Sequence, residues 1–318
     1  MRKVALITGI RGTDAHYLMD NLASNGYYIH GLARRMERPC QYCVYHECDI
    51  RDTKQVADVM WSILPTHIFN LAGQSNVADS LRHSVETTET NALGTVNLLQ
   101  AYKQFCPEAK FFQASSSEMF GHSVDLDGYK RETTPMAPIT TYGLSKLYAH
   151  KMCEFYRESY ELPISCGIMF NHTSALQKTA FLIPKVIDIA VAIKCGKQTE
   201  LRIGNKDVQR DWGHSLDYVS AMRYIAEHDE PDDFVISSMQ PHSVEDLVRQ
   251  VFGLLDLDYL KYMVCDPKLI RDNDQALVMG DSTKARTVLK WKPTFTFESM
   301  LSDLVHNHYD YMTKHFYK

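Results

Sequence analysis

The sequence predicts an α/β protein built on a Rossmann-like, doubly wound parallel sheet, with a smaller mixed α/β domain towards the C-terminus. Two observations predict the sheet. Over the first 170 residues short apolar runs alternate with segments of helical period, the pattern of parallel strands joined by crossover helices. The first of these runs ends in a glycine-bearing turn, "TGIRGTDA", which opens the first helical segment. A third observation predicts the smaller domain: beyond residue 170 the alternation loosens into separate helices and short strands.

Strands are expected at "KVALITG", "YYIHGLA", "CVYHE", "HIFNLAG", "KFFQASS" and "ISCGIMF". Between most of them lie helices, at "HYLMDNLASN", "KQVADVMWSIL", "GTVNLLQAYKQF" and "GLSKLYAHKMCEFYRESY". The first helix ends at Asn25-Gly26, a C-terminal stop signal. In the second part "PKVIDIAVAIKCG" reads as a helix from Pro184 to a stop at Gly196. "TELRIG" and "VQRDW" read as short strands, and Ser243 stands three residues before Asp246, near the capping-box pattern. A last helix covers 297–315. The expected division is a nucleotide-binding domain over 1–170, with returning segments near 207–237, and a substrate-binding domain over 171–206 and 238–318.

The chain has 318 residues, 45% hydrophobic and 23% charged, ordinary for one large domain or two joined ones. A net charge of −5 without a basic face argues against a nucleic-acid partner. No apolar stretch approaches the ~20 residues of a membrane span, and the run in "MRKVALITGI" stops in a glycine loop instead of a cleavage site. A cytoplasmic protein with no membrane partner is expected. The 8 cysteines lack the density of a disulfide framework and read as reduced thiols. Cys40, Cys43, His46 and Cys48 have a spacing that could ligate zinc. Because Cys48 ends a strand beside a cofactor position, they read as free thiols, and no metal is assigned.

In "TGIRGTDA", Gly9 and Gly12 supply a tight phosphate-binding turn, and Ala15 takes the position of close helix–strand packing. The turn, with Arg11, Thr13 and Asp14, places backbone N–H groups at a helix N-terminus, where pyrophosphate is favoured. The second strand ends in Arg34 and Arg35 where an acidic residue would bind a free ribose hydroxyl; guanidinium groups suit a 2′-phosphate, so NADP is expected over NAD. Asp49-Ile50 ends the third strand, where a carboxylate could meet an adenine amino group. Leu71, Ala72, Gly73 and Ser75 follow the fourth, and their small neighbours let backbone approach a cofactor.

The fifth strand runs into "SSSEMFG", and "YGLSK" follows downstream. Tyr142 and Lys146 stand at i and i+4 and share a helix face. A lysine ammonium near a phenol favours the phenolate, so the Tyr142 pKa is expected to fall towards working pH. Ser116 can hold a substrate oxygen while the tyrosine takes its proton and a nicotinamide takes a hydride. Glu118, two residues past that hydroxyl, is a candidate second base, which a simple reductase would not need.

These residues together resemble the extended short-chain dehydrogenase/reductase family, also described as NAD-dependent epimerases/dehydratases, over nearly the whole chain. "TTYGLSKLYAH", "VQRDWGHSLDYVSAM", "DEPDDFVIS" and "KLIRDNDQALVMGD" look like its branch that dehydrates GDP-mannose. The resemblance implies an internal redox cycle: oxidation at sugar carbon 4 with Tyr142 as base, loss of the carbon-5 proton to Glu118 and of hydroxide from carbon 6, and return of the hydride to carbon 6. It implies that Ser75, Ser116, Asn171, Lys185, Arg210, Arg271 and Asp274 meet the GDP-sugar, that His172 lies on the cofactor side, and that the chain forms a homodimer. Four features depart from the family. Ser116 stands for a threonine, and Ser117 falls where dehydratases of another branch carry an acidic residue. The segment from Arg35 to Asp49 is shorter than the family's arginine loop that can join dimers into tetramers, so a tetramer is left open, and "TSALQKT" lacks an arginine that Lys178 would replace. A GDP-heptose substrate, a GDP-4-keto-6-deoxymannose reductase or epimerase, and a non-catalytic NADPH-binding sensor are the competing readings.

Overall fold

The structure, a computed structural model, describes residues 2–35, 42–270 and 275–315. The chain divides into two compact units. The larger comprises Met1–Met169, Tyr218–Ile236 and Asp281–Lys292. The smaller comprises Phe170–Asp217, Ser237–Gly280 and Pro293–Lys318. The return expected near 207 thus begins at Tyr218, and the second return, Asp281–Lys292, has no counterpart in the sequence expectation.

The six expected strands form as β1 (Val4–Thr8), β2 (Tyr28–Ala33), β3 (Cys43–Glu47), β4 (His67–Asn70), β5 (Lys110–Ser116) and β6 (Ile164–Met169). A seventh, Asp233–Ile236, lies within "DEPDDFVIS" and was not among them. The sheet order is Asp233–Ile236, β6, β5, β4, β1, β2, β3, and every pairing is parallel. The helices of this unit up to β6 are α1 (Thr13–Ser24), α2 (Thr53–Ile63), α3 (Val77–Arg82), α4 (Ser84–Thr88), α5 (Gly94–Phe105) and α6 (Thr141–Tyr160).

Successive strand residues point to opposite faces, and here both faces are buried. Ile7, Phe69 and Phe112 share a core with Leu18 and Leu22 of α1 and with Tyr218, Met222 and Ile225 of the helix Ser215–Glu227. Their neighbours Leu6, Ile68 and Phe111 share another with Met60 of α2, Leu98 and Tyr102 of α5, and Cys153 of α6. Burial on both sides explains why these strands read as continuous apolar runs and not as alternating ones. The strand order reverses between β4 and β1, and in such sheets that switch point opens a crevice at the strands' carboxyl ends.

The smaller unit has its own core, in which Val186 and Ala190 of the helix Leu182–Lys194 meet Val248 and Phe252 of Val244–Leu254 and Leu301 and Leu304 of Phe297–His315. The first of these helices starts at Leu182, not Pro184; proline is tolerated there because first-turn N–H groups have no intrahelical acceptor. The capping box forms: Ser243 Oγ accepts from Asp246 N at 3.0 Å and the Asp246 carboxylate accepts from Ser243 N at 3.1 Å. The strand Gln209–Asp211 pairs with Pro241–Ser243 antiparallel and Leu277–Val278 parallel.

The edge strand Asp233–Ile236 is held to the larger unit by polar ties. Arg157 of α6 donates to Asp233 Oδ1 at 2.8 Å and Oδ2 at 3.2 Å, and Glu132 accepts from Val235 N at 2.7 Å. Burial alone would raise the Asp233 carboxyl, but the Arg157 guanidinium holds it below its ordinary value. Removing one member of such a pair leaves a buried charge uncompensated. Arg157→Met is therefore expected to lower the unfolding free energy by about 3 kcal/mol, read from urea denaturation midpoints at unchanged m-value.

Candidate active site

The glycine turn sits at the switch point. Gly9 has φ +65°, and a Cβ there would stand 2.8 Å from the Ala72 Cα that follows β4. Only glycine allows both the left-handed backbone and this approach. Gly12 N donates to Gly9 O at 2.8 Å, and Gly12 is the N-cap of α1 without a capping side chain. A helix start of this kind presents backbone donors to an anion. The strand ends beside it are fixed by a buried chain of hydrogen bonds. Thr8 Oγ1 donates to Asn70 Oδ1 at 2.6 Å and accepts from Ala72 N at 3.0 Å, while Asn70 Nδ2 donates to Gln113 Oε1 at 2.8 Å.

Arg34 and Arg35 are exposed at the end of β2, and Arg34 pairs with Glu86 of α4 at 3.3 Å. An exposed pair of this kind is weak, so a 2′-phosphate could exchange for the carboxylate. Asp49 and Ile50 lie just beyond β3. Asp49 is taken up locally: Arg51 Nε donates to its Oδ1 at 3.0 Å and Arg51 Nη2 to its Oδ2 at 2.6 Å, which holds the carboxyl below its ordinary range. Asp49, Arg51, Gln55 and Glu89 line an open groove of about 690 Å³. Leu71, Ala72 and Gly73 follow β4, and Ser75 is exposed.

Strand β5 and helix α6 bring the candidate catalytic residues of the sequence together. Ser116 ends β5 and caps the 3₁₀ turn Ser117–Phe120, its Oγ accepting from Glu118 N at 3.2 Å. Glu118 is half-buried in that turn. Helix α6 starts at Thr141, with Thr140 Oγ1 accepting from Gly143 N at 3.0 Å. Tyr142, 8% exposed, stands beside Ser116, whose hydroxyl acts on the phenol. Lys146 Nζ donates to Ala114 O at 2.9 Å and lies 5.9 Å from the centroid of the Tyr142 ring.

The expected fall in the Tyr142 pKa is not found. Burial pushes the phenol up to about 12; the Ser116 hydrogen bond lowers it, and the Glu118 and Asp14 carboxylates raise it. Burial also pulls Lys146 down to about 8. Each group is drawn to its neutral form because desolvation outweighs the nearby charges. The protein alone therefore presents a neutral phenol, and further positive charge beside it would favour the phenolate.

Sequence reasoning missed Asn91. This residue, 1% exposed, stands in the π-helical turn Glu89–Leu93. Its Nδ2 donates to Ser145 Oγ at 3.1 Å and to Gln74 O at 3.0 Å, and its Oδ1 accepts from Gln74 N at 2.8 Å. It thereby ties the segment after β4 to α6. A Cβ on Gly73 would fall 2.9 Å from Asn91 Oδ1 and 3.6 Å from Lys146 Nζ. No motif marks an asparagine inside a helical run; only the π turn, which often accompanies functional sites, singles it out.

The remaining sequence candidates are spread. Asn171, His172, Lys185 and Arg210 belong to the smaller unit. Asn171 is exposed and Lys185 half-buried, as is Lys178's neighbour Gln177. His172 Nδ1 is 2.7 Å from Phe170 O. Arg210 Nη1 donates to Gln209 O and Gln275 O, each at 2.7 Å. Arg271, Asp274 and Cys40 lie outside the described residues. Cys43 and Cys48 are buried, the Cys48 thiol is pushed up to about 12 by burial, and His46 Nε2 lies 2.8 Å from His30 Nδ1. Among the described residues, the trio of metal-capable groups within 4.8 Å of one another is instead His150, Cys166 and Asp233, whose carboxylate is already paired with Arg157.

Residues 6–304 match the family described as GDP-mannose 4,6 dehydratase. The chain is 32% identical to the GDP-mannose 4,6 dehydratase of Dictyostelium discoideum, covering 98% of this chain and 97% of that one. Against the human GDP-mannose 4,6 dehydratase the identity is 33%, over 96% and 91%. Among solved structures, RMD from Pseudomonas aeruginosa complexed with NADPH superposes with a TM-score of 0.83 at 25% identity, covering 97% and 99%. The dTDP-glucose 4,6-dehydratase of Bacillus anthracis in complex with NAD gives 0.84 at 22%, over 98% of both chains, a likeness of fold.

The Gly9 cradle yields a direct check. Gly9→Ala forces a methyl group against Ala72 and strains the turn, so NADPH affinity, followed by fluorescence titration, is expected to fall at least about tenfold.

Proposed function

The chain belongs to the GDP-mannose 4,6 dehydratase family, and we propose that Tyr142, Ser116, Lys146 and Glu118 carry its conversion of GDP-mannose to GDP-4-keto-6-deoxymannose. The enzyme is a nucleotide-sugar 4,6-dehydratase, a hydro-lyase, and its cofactor is NADP. The observation that carries the assignment of roles is the convergence of Tyr142, Ser116 and Lys146 where α6 meets the end of β5, with Glu118 in the next turn of chain.

Bound NADP would supply the hydride acceptor for carbon 4 and the donor for carbon 6, so the overall reaction is loss of one water. Gly9, Gly12 and the first turn of α1 would hold its pyrophosphate, with Arg11, Thr13 and Asp14 around them. Arg34 and Arg35 would meet its 2′-phosphate. Asp49 and Ile50 would flank the adenine. Leu71, Ala72, Gly73, Ser75 and His172 would line the rest of the dinucleotide.

Ser116 Oγ orients the carbon-4 hydroxyl, and Tyr142 Oη takes its proton as the carbon–hydrogen bond breaks. Lys146, held on Ala114 O, stabilises the phenolate before that transfer while it retains its proton. The carbon-4 ketone then acidifies the carbon-5 proton. Glu118 removes that proton and passes it to the departing carbon-6 hydroxyl, which leaves as water; as carbon 6 receives hydride, carbon 5 takes a proton back from Glu118, reprotonated from solvent, and Tyr142 returns its own proton to solvent. Ser75, Asn171, Lys185, Arg210, Arg271 and Asp274 are assigned to the GDP-sugar, the cationic side chains to its diphosphate. The reading includes a cytoplasmic location and a homodimer; exposed Leu144, Tyr148 and Phe155 on α6 supply apolar surface for it.

The test is incubation with GDP-mannose and trace NADP, with mass spectrometry for the loss of water and absorbance at the NADPH band. Wild type is expected to form product without net NADPH. Tyr142→Phe is expected to lose about 10³-fold in rate. Glu118→Gln is expected to reduce cofactor in a single turnover yet fail to release water. Normal product formation by Glu118→Gln would overturn its role.

A further inference from the structure

Lys130 is 0% exposed, although the loop that carries it has no assigned part in the chemistry. Burying an ammonium is costly unless its protons are used. Its Nζ donates to Gly121 O at 2.7 Å, and it lies 5.9 Å from the Phe120 ring centroid. Gly121 closes the 3₁₀ turn Ser117–Phe120, its N donating to Glu118 O at 3.3 Å. It has φ +53°, and a Cβ there would stand 2.0 Å from Ala137 O, so only glycine fits this close approach. On the other side of the turn, Glu118 O lies 2.7 Å from where a Cβ on Gly143 would be, next to Tyr142. The turn that bears Glu118 is thus seated between α6 and the Lys130 ammonium.

The lysine is itself anchored. Asp281 N donates to Lys130 O at 3.0 Å. The next residue, Arg131, pairs with Asp125 at 2.9 Å, Asp127 at 2.7 Å and Asp281 at 2.8 Å. Glu132 holds Val235 N of the edge strand. Residues 130–132 are therefore tied to the segments around Asp125, Val235 and Asp281, and the ammonium projects from a fixed support.

We propose that Lys130 is a positioning residue for Glu118: its buried ammonium clamps the Gly121 carbonyl and fixes the turn from which the carboxylate reaches carbon 5. This rests on the second-base role given to Glu118 above. Loss of the clamp frees the turn at its Gly121 end, while Ser116 still accepts from Glu118 N at the other end and Lys146 still holds Ala114 O, so it affects proton removal at carbon 5 more than oxidation at carbon 4. Misplacement of a catalytic group by about 1 Å costs on the order of 100-fold.

The test compares wild type with Lys130→Met, which keeps the length, and Lys130→Gln, which keeps a donor. The first readout needs no substrate: amide hydrogen exchange of the segment 117–121 against the helix 141–160. The second separates the half-reactions with GDP-mannose, as single-turnover NADPH formation and as solvent deuterium uptake at carbon 5. Expected for Lys130→Met are exchange at least about tenfold faster in 117–121 with 141–160 unchanged, deuterium uptake down by at least about tenfold, and NADPH formation within about threefold of wild type. Lys130→Gln falls between. Unchanged exchange in 117–121, or an equal fall of both half-reactions, overturns the clamp. Should wild type act on no GDP-sugar, the functional reading fails, and the exchange measurement still decides for or against the clamp.

Discussion

The site depends on how α6 lies along β5. Tyr142, Lys146 and His150 follow one another at four-residue spacing and form one stripe on the helix. Each is tied to the strand: Tyr142 to Ser116, Lys146 Nζ to Ala114 O at 2.9 Å, and His150 Nδ1 to Ser115 Oγ at 3.0 Å. A helix repeats along its axis and a strand along its own, so three such ties set the translation of one element on the other. The phenol is placed by this register, not by its own loop, and rigid elements hold reactive groups more closely than loops do.

The same contact creates the electrostatic character of the site. Packing α6 onto a sheet buried on both faces removes water from Tyr142 and Lys146, and desolvation then favours the neutral form of each. A surface pair at the same spacing would lose less water and keep pKa values nearer the ordinary ones. A nicotinamide bound beside Tyr142 and Lys146 would bring positive charge that favours the phenolate.

Around this centre the polar groups that carry no chemistry still have mechanical work. Thr8, Asn70 and Gln113 join the ends of β1 and β4 to the middle of β5 through buried hydrogen bonds, which fixes these strands beside the glycine turn. Asn91 bridges the segment after β4 to α6. Lys130 and Arg131 do the same on the far side of β5, where the chain leaves the sheet. Buried polar networks of this kind are costly if incomplete, and when satisfied they specify one arrangement.

The residues by themselves determined the doubly wound sheet, its glycine turn and the order Ser116, Glu118, Tyr142, Lys146, because period, turn chemistry and i+4 spacing are local properties. The capping box at Ser243 was legible for the same reason. The edge strand Asp233–Ile236 was not, since four residues carry little periodic signal and its ties to Arg157 and Glu132 are remote in the chain. The direction of the Tyr142 pKa was misjudged because a sequence shows which charges are near but not how much water is lost. Asn91 and Lys130 were invisible because their roles come from partners brought together only by packing: Ser145 for the one, the Gly121 carbonyl for the other. Tertiary structure decides such things because burial and distance between remote segments have no local signature.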